Sequence, residues 1–199
     1  MGRRLVQGQR VGVEPLLVGE KVVLRAPEMD DLDALVRWIN DPELARYRMP
    51  HFPYSYAHER EWLERISRSE TDRVLIIQRL DGRPIGMMGL HRIDQVHRQA
   101  ELGIFIGEKD CWGQGYGTDA IRTLLRFAFD QMNFHRIYLR VDVDNVRAQR
   151  CYEKCGFVRE GTLRQAVFRD GGWHDQHLMA VLAEEFRRNP LAWVGPNRV

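Results

Sequence analysis

The sequence predicts a mixed α/β domain, because short apolar segments alternate with segments of helical spacing without forming a regular βαβ repeat. With 199 residues, 44% of them hydrophobic and 29% charged, the chain is long enough and apolar enough to bury one core. A third observation is the glycine-rich run from Cys111 to Asp119, which lies between an apolar segment and an amphipathic one. Glycines that lead from a strand into a helix let backbone N–H groups approach a phosphate closely, and the helix dipole adds attraction.

The first half of the chain predicts a strand, two helices and a three-stranded meander. An apolar run from Val22 to Leu24 is typical of a strand, and Pro27 followed by acidic residues is typical of a helix start. The turn at Asp81-Gly82 separates two apolar runs and predicts a hairpin. In order, the predicted elements are a strand at 22–24, helices at 27–39 and 57–67, and strands at 74–78, 85–91 and 100–106.

The second half predicts two helices, each followed by strand. Apolar residues recur at helical spacing from Ala120 to Met132, whereas they alternate over 136–143 as in a strand. A short helix over 145–154 ends at Gly156, which we expect in the left-handed cap conformation. Closing strands are predicted at 157–161, 167–169 and 173–181. Residues 1–18 are predicted to be a lead-in, 19–187 the folded domain, and 188–199 a tail.

Charge and cysteine content argue against several classes of protein. The formal net charge of +2 favours neither a nucleic-acid partner nor a membrane surface, and no apolar run approaches the roughly 20 residues that cross a bilayer. Cys111, Cys151 and Cys155 have neither zinc-site nor Cys-x-x-Cys spacing, so we expect free thiols and no bound metal. These features predict a cytoplasmic protein.

The glycine run departs from the common nucleotide-binding motifs. A dinucleotide fingerprint needs Gly-x-Gly-x-x-Gly, but the chain has Gly113, Gly115 and Gly117 in alternation, with Thr118 where the last glycine would stand. The Gly-Lys-Ser/Thr triplet of a P-loop is also absent from the sequence. From the run alone, a phosphate site of another kind and a corner without a ligand both stay open.

Three segments together resemble a known family. They are Ala100–Ile106, the run Trp-Gly-Gln-Gly-Tyr-Gly-Thr at 112–118, and Asn-x-x-Ala-x-x-x-Tyr-x-x-x-Gly-Phe at 145–157. The chain resembles the GNAT acyl-CoA N-acyltransferase superfamily from about residue 20 to 186. Within that superfamily it resembles the RimJ/RimL-type branch, which includes ribosomal-protein N-terminal acetyltransferases and is close to spermidine acetyltransferases. The resemblance implies a twisted, mostly antiparallel sheet that splays between the strands at 101–106 and 137–143, with acetyl-CoA in the split.

The resemblance also implies which residues hold acetyl-CoA. Backbone groups of Ile104, Phe105 and Ile106 would hydrogen-bond the pantetheine amides as an added strand does. Asn145, Ala148 and Tyr152 would contact the cofactor from the following helix, although Asn145 can equally be an N-cap, as can Thr118 for the helix before it. Backbone N–H groups of the glycine run would hold the pyrophosphate, in residues Trp112, Gly113, Gln114, Gly115, Tyr116, Gly117 and Thr118.

For catalysis, the resemblance makes Tyr152 the proton donor to the departing CoA thiolate, the alternative being a packed aromatic side chain. A phenol with a pKa of about 10 is protonated at neutral pH and can serve as this acid. Glu101 is the first candidate for the general base, acting through water, unless its side chain simply faces solvent. The sequence does not assign the faces on which His91 and His174 lie. Cys151 and Cys155 are interpreted as core residues rather than nucleophiles.

The expected reaction is acetyl transfer to a primary amine, with a protein N-terminal α-amine favoured. An α-amine of pKa about 8 is roughly one-tenth neutral at pH 7, far more than a lysine-like amine. The alternatives are a polyamine such as spermidine, a small-molecule or antibiotic amine, and a non-catalytic acyl-CoA sensor. The last strands offer an edge for a homodimer. Acids near the first helices either attract a cationic acceptor or complement the helix dipole, at Glu28, Asp30, Asp31, Asp33, Asp41 and Glu43.

Overall fold

A computed structural model describes residues 16–47 and 52–188 of the chain. Its eight strands form one sheet in the order β1-β2-β3-β4-β5-β6-β8-β7. The strands are β1 (Leu17–Val18), β2 (Val22–Arg25), β3 (Arg73–Arg79), β4 (Pro84–Asp94), β5 (Gln99–Ile106), β6 (Arg136–Asp142), β7 (Val158–Arg169) and β8 (Gly172–Leu182). The helices are α1 (Leu32–Ile39), α2 (Pro42–Ala45), α3 (Tyr56–Ser67), α4 (Tyr116–Asp130), α5 (Val146–Lys154) and α6 (Ala183–Arg188).

The sheet is divided at the contact between β5 and β6. These two strands run parallel and pair only at three positions, ending at Glu101 opposite Tyr138. Beyond this point β5 stays paired with β4 and β6 stays paired with β8, both antiparallel. The carboxyl-terminal halves of β5 and β6 therefore diverge, and the predicted splayed, mostly antiparallel α/β sheet is confirmed.

The two faces of the sheet carry different layers. On one face α4 packs its apolar stripe, including Ile121 and Leu125, against sheet residues such as Ile137. On the opposite face α1 packs Leu35 and Trp38 against Ile76 of β3. Burying these apolar side chains contributes roughly 1.5–3 kcal/mol for each. The split in the sheet therefore opens between an α4/α5 layer and an α1/α3 layer.

Most predicted elements are present, and the differences have local causes. Helix α4 begins at Tyr116, inside the glycine run, because Gly115 adopts a left-handed φ of 84° and starts the helix early. Strand β7 is continuous where two strands were predicted, since its register shifts between Leu163 and Val167 and absorbs the polar residues between them. The short elements β1, α2 and α6 were not predicted.

The described chain starts and ends inside the predicted terminal segments. Leu17 and Val18 fall in the predicted lead-in but pair with Leu24 and Val23 at the edge of the sheet. Residues 1–15 of the lead-in and 189–199 of the tail lie outside the described residues. Among the described helices, none has the length and hydropathy to cross a membrane. A homodimer through the last strands stays a prediction.

Candidate active site

Three segments that are distant in sequence meet at the mouth of the split. The indole N–H of Trp112 donates to the carbonyl of Ile106 over 2.8 Å, which joins the glycine run to the end of β5. The hydroxyl of Thr118 in α4 lies 3.3 Å from the Cys151 sulfur in α5. These contacts bring together β5, the glycine run and α5, as the resemblance implied.

The register of β5 decides which of its backbone groups face the split. On one side of the strand, the N–H of Gly107 donates to the carbonyl of Ile85 in β4 over 2.8 Å. On the other side, the carbonyl of Arg98 accepts from the N–H of His135 over 2.7 Å. The backbone N–H and C=O groups of successive residues point to opposite sides of a strand. In β5, the backbone groups of odd-numbered residues therefore bond β4, and those of even-numbered residues point toward β6 or the split. Beyond Glu101, the last residue of β5 that pairs with β6, the backbone groups that point into the split are those of Leu102, Ile104 and Ile106.

This register alters our expectation for Phe105. Its backbone groups face β4, where Phe105 is paired with Met87, so they are turned away from the split. The Phe105 ring packs edge-on against Trp38, with ring centroids 6.0 Å apart. Ile104 and Ile106 remain candidates for pantetheine binding, but the Ile106 carbonyl already accepts from Trp112.

The glycine run presents a set of backbone donors. Gly113 and Gly115 have φ values of 73° and 84°, which only glycine adopts without strain. The first helical hydrogen bond of α4 runs from the Asp119 N–H to the Gly115 carbonyl over 3.0 Å. Within the described residues, the N–H groups of 113–118 have no hydrogen-bond partner. The N–H of Trp112 instead donates to Lys109, so Trp112 holds the run in place rather than offering a backbone donor.

Asp119, at the end of the run, and Lys21, which the sequence analysis did not consider, complete this site. The Asp119 carboxylate accepts hydrogen bonds from the N–H groups of Glu20, Lys21 and Val22, and thereby ties the β1–β2 turn to the first turn of α4. The Lys21 ammonium donates to the Gln114 carbonyl over 2.9 Å. A cation beside free backbone donors at a helix N-terminus suits a phosphate group. No sequence signal links residues almost one hundred positions apart.

Asn145 caps the start of helix α5, which was one of its two predicted roles. The Asn145 side chain accepts from the Ala148 N–H over 3.2 Å and is the N-cap of α5. Ala148 is half-buried against the core. The Arg147 guanidinium lies 4.1 Å from the centre of the Trp112 ring, a cation–π contact across the mouth of the split. Contact of Asn145 and Ala148 with a cofactor stays a prediction.

Tyr152 is half-buried and packs edge-on against Phe157, with ring centroids 5.9 Å apart. Burial, with a smaller contribution from the Cys151 thiol, raises the pKa of Tyr152 above its ordinary value, so the phenol carries its proton at neutral pH. Within 16–47 and 52–188, its hydroxyl has no hydrogen-bond partner. These properties suit a proton donor, and the catalytic role stays a prediction.

Cys151 of α5 packs against the core, and Cys155, which caps the end of α5, lies within it, as predicted. Cys155 is fully buried, whereas Cys151 is half-buried and borders the glycine run. The Cys155 thiol and the Thr118 hydroxyl stabilise a Cys151 thiolate, so the pKa of Cys151 is lowered while that of Cys155 is raised. The Cys151 sulfur also lies beside the glycine run, 3.8 Å from where a Cβ atom on Gly117 would be.

Glu101 lies at the point where β5 and β6 separate, but its carboxylate is engaged. One oxygen lies 2.8 Å from Arg92 and the other 3.0 Å from Arg140. Its side chain is only 16% exposed. With both oxygens paired to guanidinium groups, Glu101 is poorly placed to receive a proton, and its assignment as the base stays a prediction.

Three of the six acids near the first helices form ion pairs within the chain. Arg25 binds Asp31 with two hydrogen bonds of 2.7 Å. Lys109 lies 2.9 Å from both Asp41 and Glu43, and its hydrogen bond lowers the pKa of Asp41. Cationic partners thus neutralise half of the acids that we had considered for attracting a cationic acceptor.

The residues present fit coenzyme A. The split offers unpaired backbone groups of β5 to amides, and the glycine run offers unpaired N–H groups and Lys21 to phosphates. Among the described residues, no cluster of three or more His, Cys, Asp or Glu side chains is placed to hold a metal ion. The groups that fit the cofactor are backbone N–H and C=O groups and the Lys21 ammonium.

Known proteins share this arrangement. The acetyltransferase (GNAT) domain family matches residues 21–158. A spermidine N(1)-acetyltransferase of Vibrio cholerae is 29% identical over 169 residues, covering 85% of this chain and 97% of the relative. The putative ribosomal N-acetyltransferase YdaF of Bacillus subtilis is 35% identical over 106 residues, covering 53% of this chain and 57% of the relative.

A solved structure agrees in fold. The crystal structure of spermidine N-acetyltransferase from Vibrio cholerae in complex with CoA and spermine has a TM-score of 0.77 and 31% sequence identity, covering 82% of this chain and 96% of that chain. The family match extends over the splayed strands, the glycine run and all of α5. The chain therefore belongs to the GNAT acetyltransferase family and is an N-acetyltransferase that uses acetyl-CoA.

Proposed function

We propose that this enzyme acetylates the N-terminal α-amine of a peptide or protein. The observation that carries the proposal is the internal pairing of Asp31 with Arg25, and of Asp41 and Glu43 with Lys109. In the family that these motifs resemble, the first helices line the acceptor pocket. A polycation would have to displace these ion pairs to use the acids, whereas a peptide α-amine brings at most one charge.

The chemistry of an α-amine also suits the groups at the split. Attack on a thioester needs a neutral amine, and about one-tenth of an α-amine of pKa about 8 is neutral at pH 7. The transfer removes one proton from the amine and returns one to the departing thiolate. In this proposal Tyr152 supplies the second proton, and the backbone of Ile104 and the N–H groups of the glycine run orient the cofactor.

A polyamine is the second candidate acceptor. Relatives named spermidine N-acetyltransferases cover most of the chain, at 27–29% identity. The acids Glu28, Asp30 and Asp33 have no ion pair within the described residues, and the last two are exposed on or beside α1. These carboxylates are the groups to which a polyamine would bind.

Mass spectrometry of products separates these acceptors. Purified protein is incubated with acetyl-CoA and a panel of peptides with free or blocked N-termini, spermidine, spermine and aminoglycosides, and release of the CoA thiol is followed in parallel. We expect a 42-Da increase on peptides with a free α-amine and none on blocked peptides that keep a lysine, since acetylation replaces hydrogen by an acetyl group. Faster turnover of spermidine than of every peptide would reject the peptide assignment. Binding of CoA without turnover of any amine would identify a sensor.

A further inference from the structure

A histidine lies on the sheet beside the start of the split, on the face opposite α4. His91 of β4 is paired with Glu101 of β5, so the two side chains share that face. A Cβ atom built on Gly103 would lie 3.1 Å from the His91 Nε2 atom. The imidazole therefore lies over a residue without a side chain, two positions beyond the last pairing of β5 with β6.

The other ring nitrogen of His91 is held by a carboxylate. His91 Nδ1 lies 2.8 Å from an oxygen of Asp72, which also accepts from the hydroxyls of Ser69 and Thr71 at its other oxygen. Burial raises the pKa of Asp72, but the hydrogen bonds from His91, Thr71 and Ser69 outweigh it and leave that pKa below its ordinary value. An ionised carboxylate only accepts hydrogen bonds, so Nδ1 carries the hydrogen and the lone pair of the neutral ring is on Nε2.

Nε2 is available to an incoming group. Within residues 16–47 and 52–188 it has no hydrogen-bond partner, and the His91 side chain is 39% exposed. The charged groups around the ring are Asp72, Glu101, Arg92 and Arg140, and the two arginines occupy both oxygens of Glu101. At this position the imidazole Nε2 accepts no hydrogen bond from the described residues, whereas both oxygens of the nearby carboxylate accept from arginines.

We propose that His91 is the general base of the acetyl transfer, oriented by Asp72. Nε2 takes the proton that the attacking amine loses as its nitrogen bonds to the acetyl carbon, and Asp72 stabilises the imidazolium that forms. Tyr152 gives a proton to the sulfur as the carbon–sulfur bond breaks, so one proton is taken up and one is released. Exchange with solvent then restores both residues. The inference deepens the proposed function but requires only that the acceptor is an amine.

The test uses the full chain and the amine that the wild-type enzyme acetylates best. His91→Gln removes the basic nitrogen, Asp72→Asn removes the orienting charge, and His97→Gln changes an exposed histidine in the turn after β4 and serves as the matched control. We expect kcat for His91→Gln to fall by about 10²–10³-fold with the Kd for CoA unchanged, and Asp72→Asn to lose about tenfold. His97→Gln should match the wild type.

Two further readouts distinguish base catalysis from a structural role. In His91→Gly, free imidazole should restore a measurable part of kcat. In the wild type, log kcat/KM should reflect two ionisations, that of the imidazole and that of the acceptor amine, whereas in His91→Gln only that of the amine should remain. A kcat within threefold of wild type in His91→Gln, or no rescue by imidazole in a folded His91→Gly, would overturn the proposal. A wild type that prefers polyamines would overturn only the peptide assignment, since the comparison uses its preferred amine.

Discussion

The indole N–H of Trp112 donates to the carbonyl of Ile106 over 2.8 Å, so a residue near the start of the glycine run closes the end of β5. This bond fixes the distance between the two parts of the site that present backbone groups. Trp112→Phe keeps an aromatic ring but removes the indole N–H and leaves the Ile106 carbonyl unpaired. This loss lowers the free energy of unfolding by about 1–2 kcal/mol. We expect the Kd for CoA by calorimetry to rise about tenfold. The control is Trp173→Phe, which changes an indole in β8 that is 62% exposed and should leave the Kd for CoA unchanged.

Tyr152→Phe removes the proposed proton donor while keeping the ring against Phe157. We expect kcat to fall by about 10²-fold, with the Kd for CoA within about twofold of wild type. Because burial raises the pKa of Tyr152 above its ordinary value of 10.0, no loss of wild-type activity below about pH 10 should come from this phenol. Stopped assays of CoA release from pH 6 to 10 measure both effects. An unchanged kcat in Tyr152→Phe would exclude it as the acid.

Gly107→Ala tests the contact between β5 and α1. A Cβ atom at Gly107 would lie 2.4 Å from the ring of Trp38, which is 1% exposed and cannot easily move. We expect a loss of about 2–3 kcal/mol in the free energy of unfolding by urea. At Gly161 a Cβ atom meets nothing within 4 Å, so Gly161→Ala should change stability by less than about 0.5 kcal/mol. Equal stability of the two variants would contradict the packing.

The hydrogen bonds of Glu108 should make the free energy of unfolding depend on pH. Burial raises its pKa, but hydrogen bonds from Trp38, Arg83 and Arg37 outweigh burial and leave the pKa below its ordinary value of 4.5. A lowered folded-state pKa contributes stability that is present above the ordinary pKa and is lost as pH falls through the folded one.

Replacing Glu108 should therefore change the acid side of the stability curve. We expect Glu108→Gln to be about 1–2 kcal/mol less stable at pH 7 and to lose less stability than wild type as the pH falls below the ordinary glutamate pKa of 4.5. Glu61→Gln, at an exposed position of α3, is the control. Parallel curves of unfolding free energy for wild type and Glu108→Gln would show that the carboxylate has no such role.

Cys151 should be the most reactive thiol of the chain. Its pKa is lowered by the Cys155 thiol and the Thr118 hydroxyl, whereas burial raises the pKa of Cys111. Since the thiolate is the nucleophile, iodoacetamide at pH 7 should label Cys151 at least about tenfold faster than Cys111. Peptide mapping by mass spectrometry measures the rates. Bound CoA should slow labelling of Cys151, and faster labelling of Cys111 would contradict the assignment.

The sequence predicted the parts of the fold and site that depend on local chemistry. The glycine run, the Asn145 cap and the left-handed Gly156 follow from residue types and their spacing, and the structure contains each of them. The apolar run at 100–106 and the alternation of apolar residues over 136–143 predicted the strands on either side of the split. These features need only neighbouring residues to form.

Contacts across the chain could not be predicted from one sequence. Nothing in the sequence links Lys21 and Asp119 to the same corner, because the packing of β2 against α4 decides it. The pairing of Glu101 with Arg92 and Arg140 depends on the register of three strands. The face on which His91 lies likewise follows from its pairing with β5, so the candidate base could be found only in the folded molecule.

The order of strands has a consequence for how the sheet can open. Strands β1 to β5 follow one another in the sheet as they do in the chain, and β6 to β8 form a second contiguous group. Three pairs of residues join the two groups, against seven pairs between β4 and β5 and seven between β6 and β8. The seam at the cofactor cleft therefore has fewer backbone contacts than the strand pairs on either side of it, and we expect local unfolding to begin there.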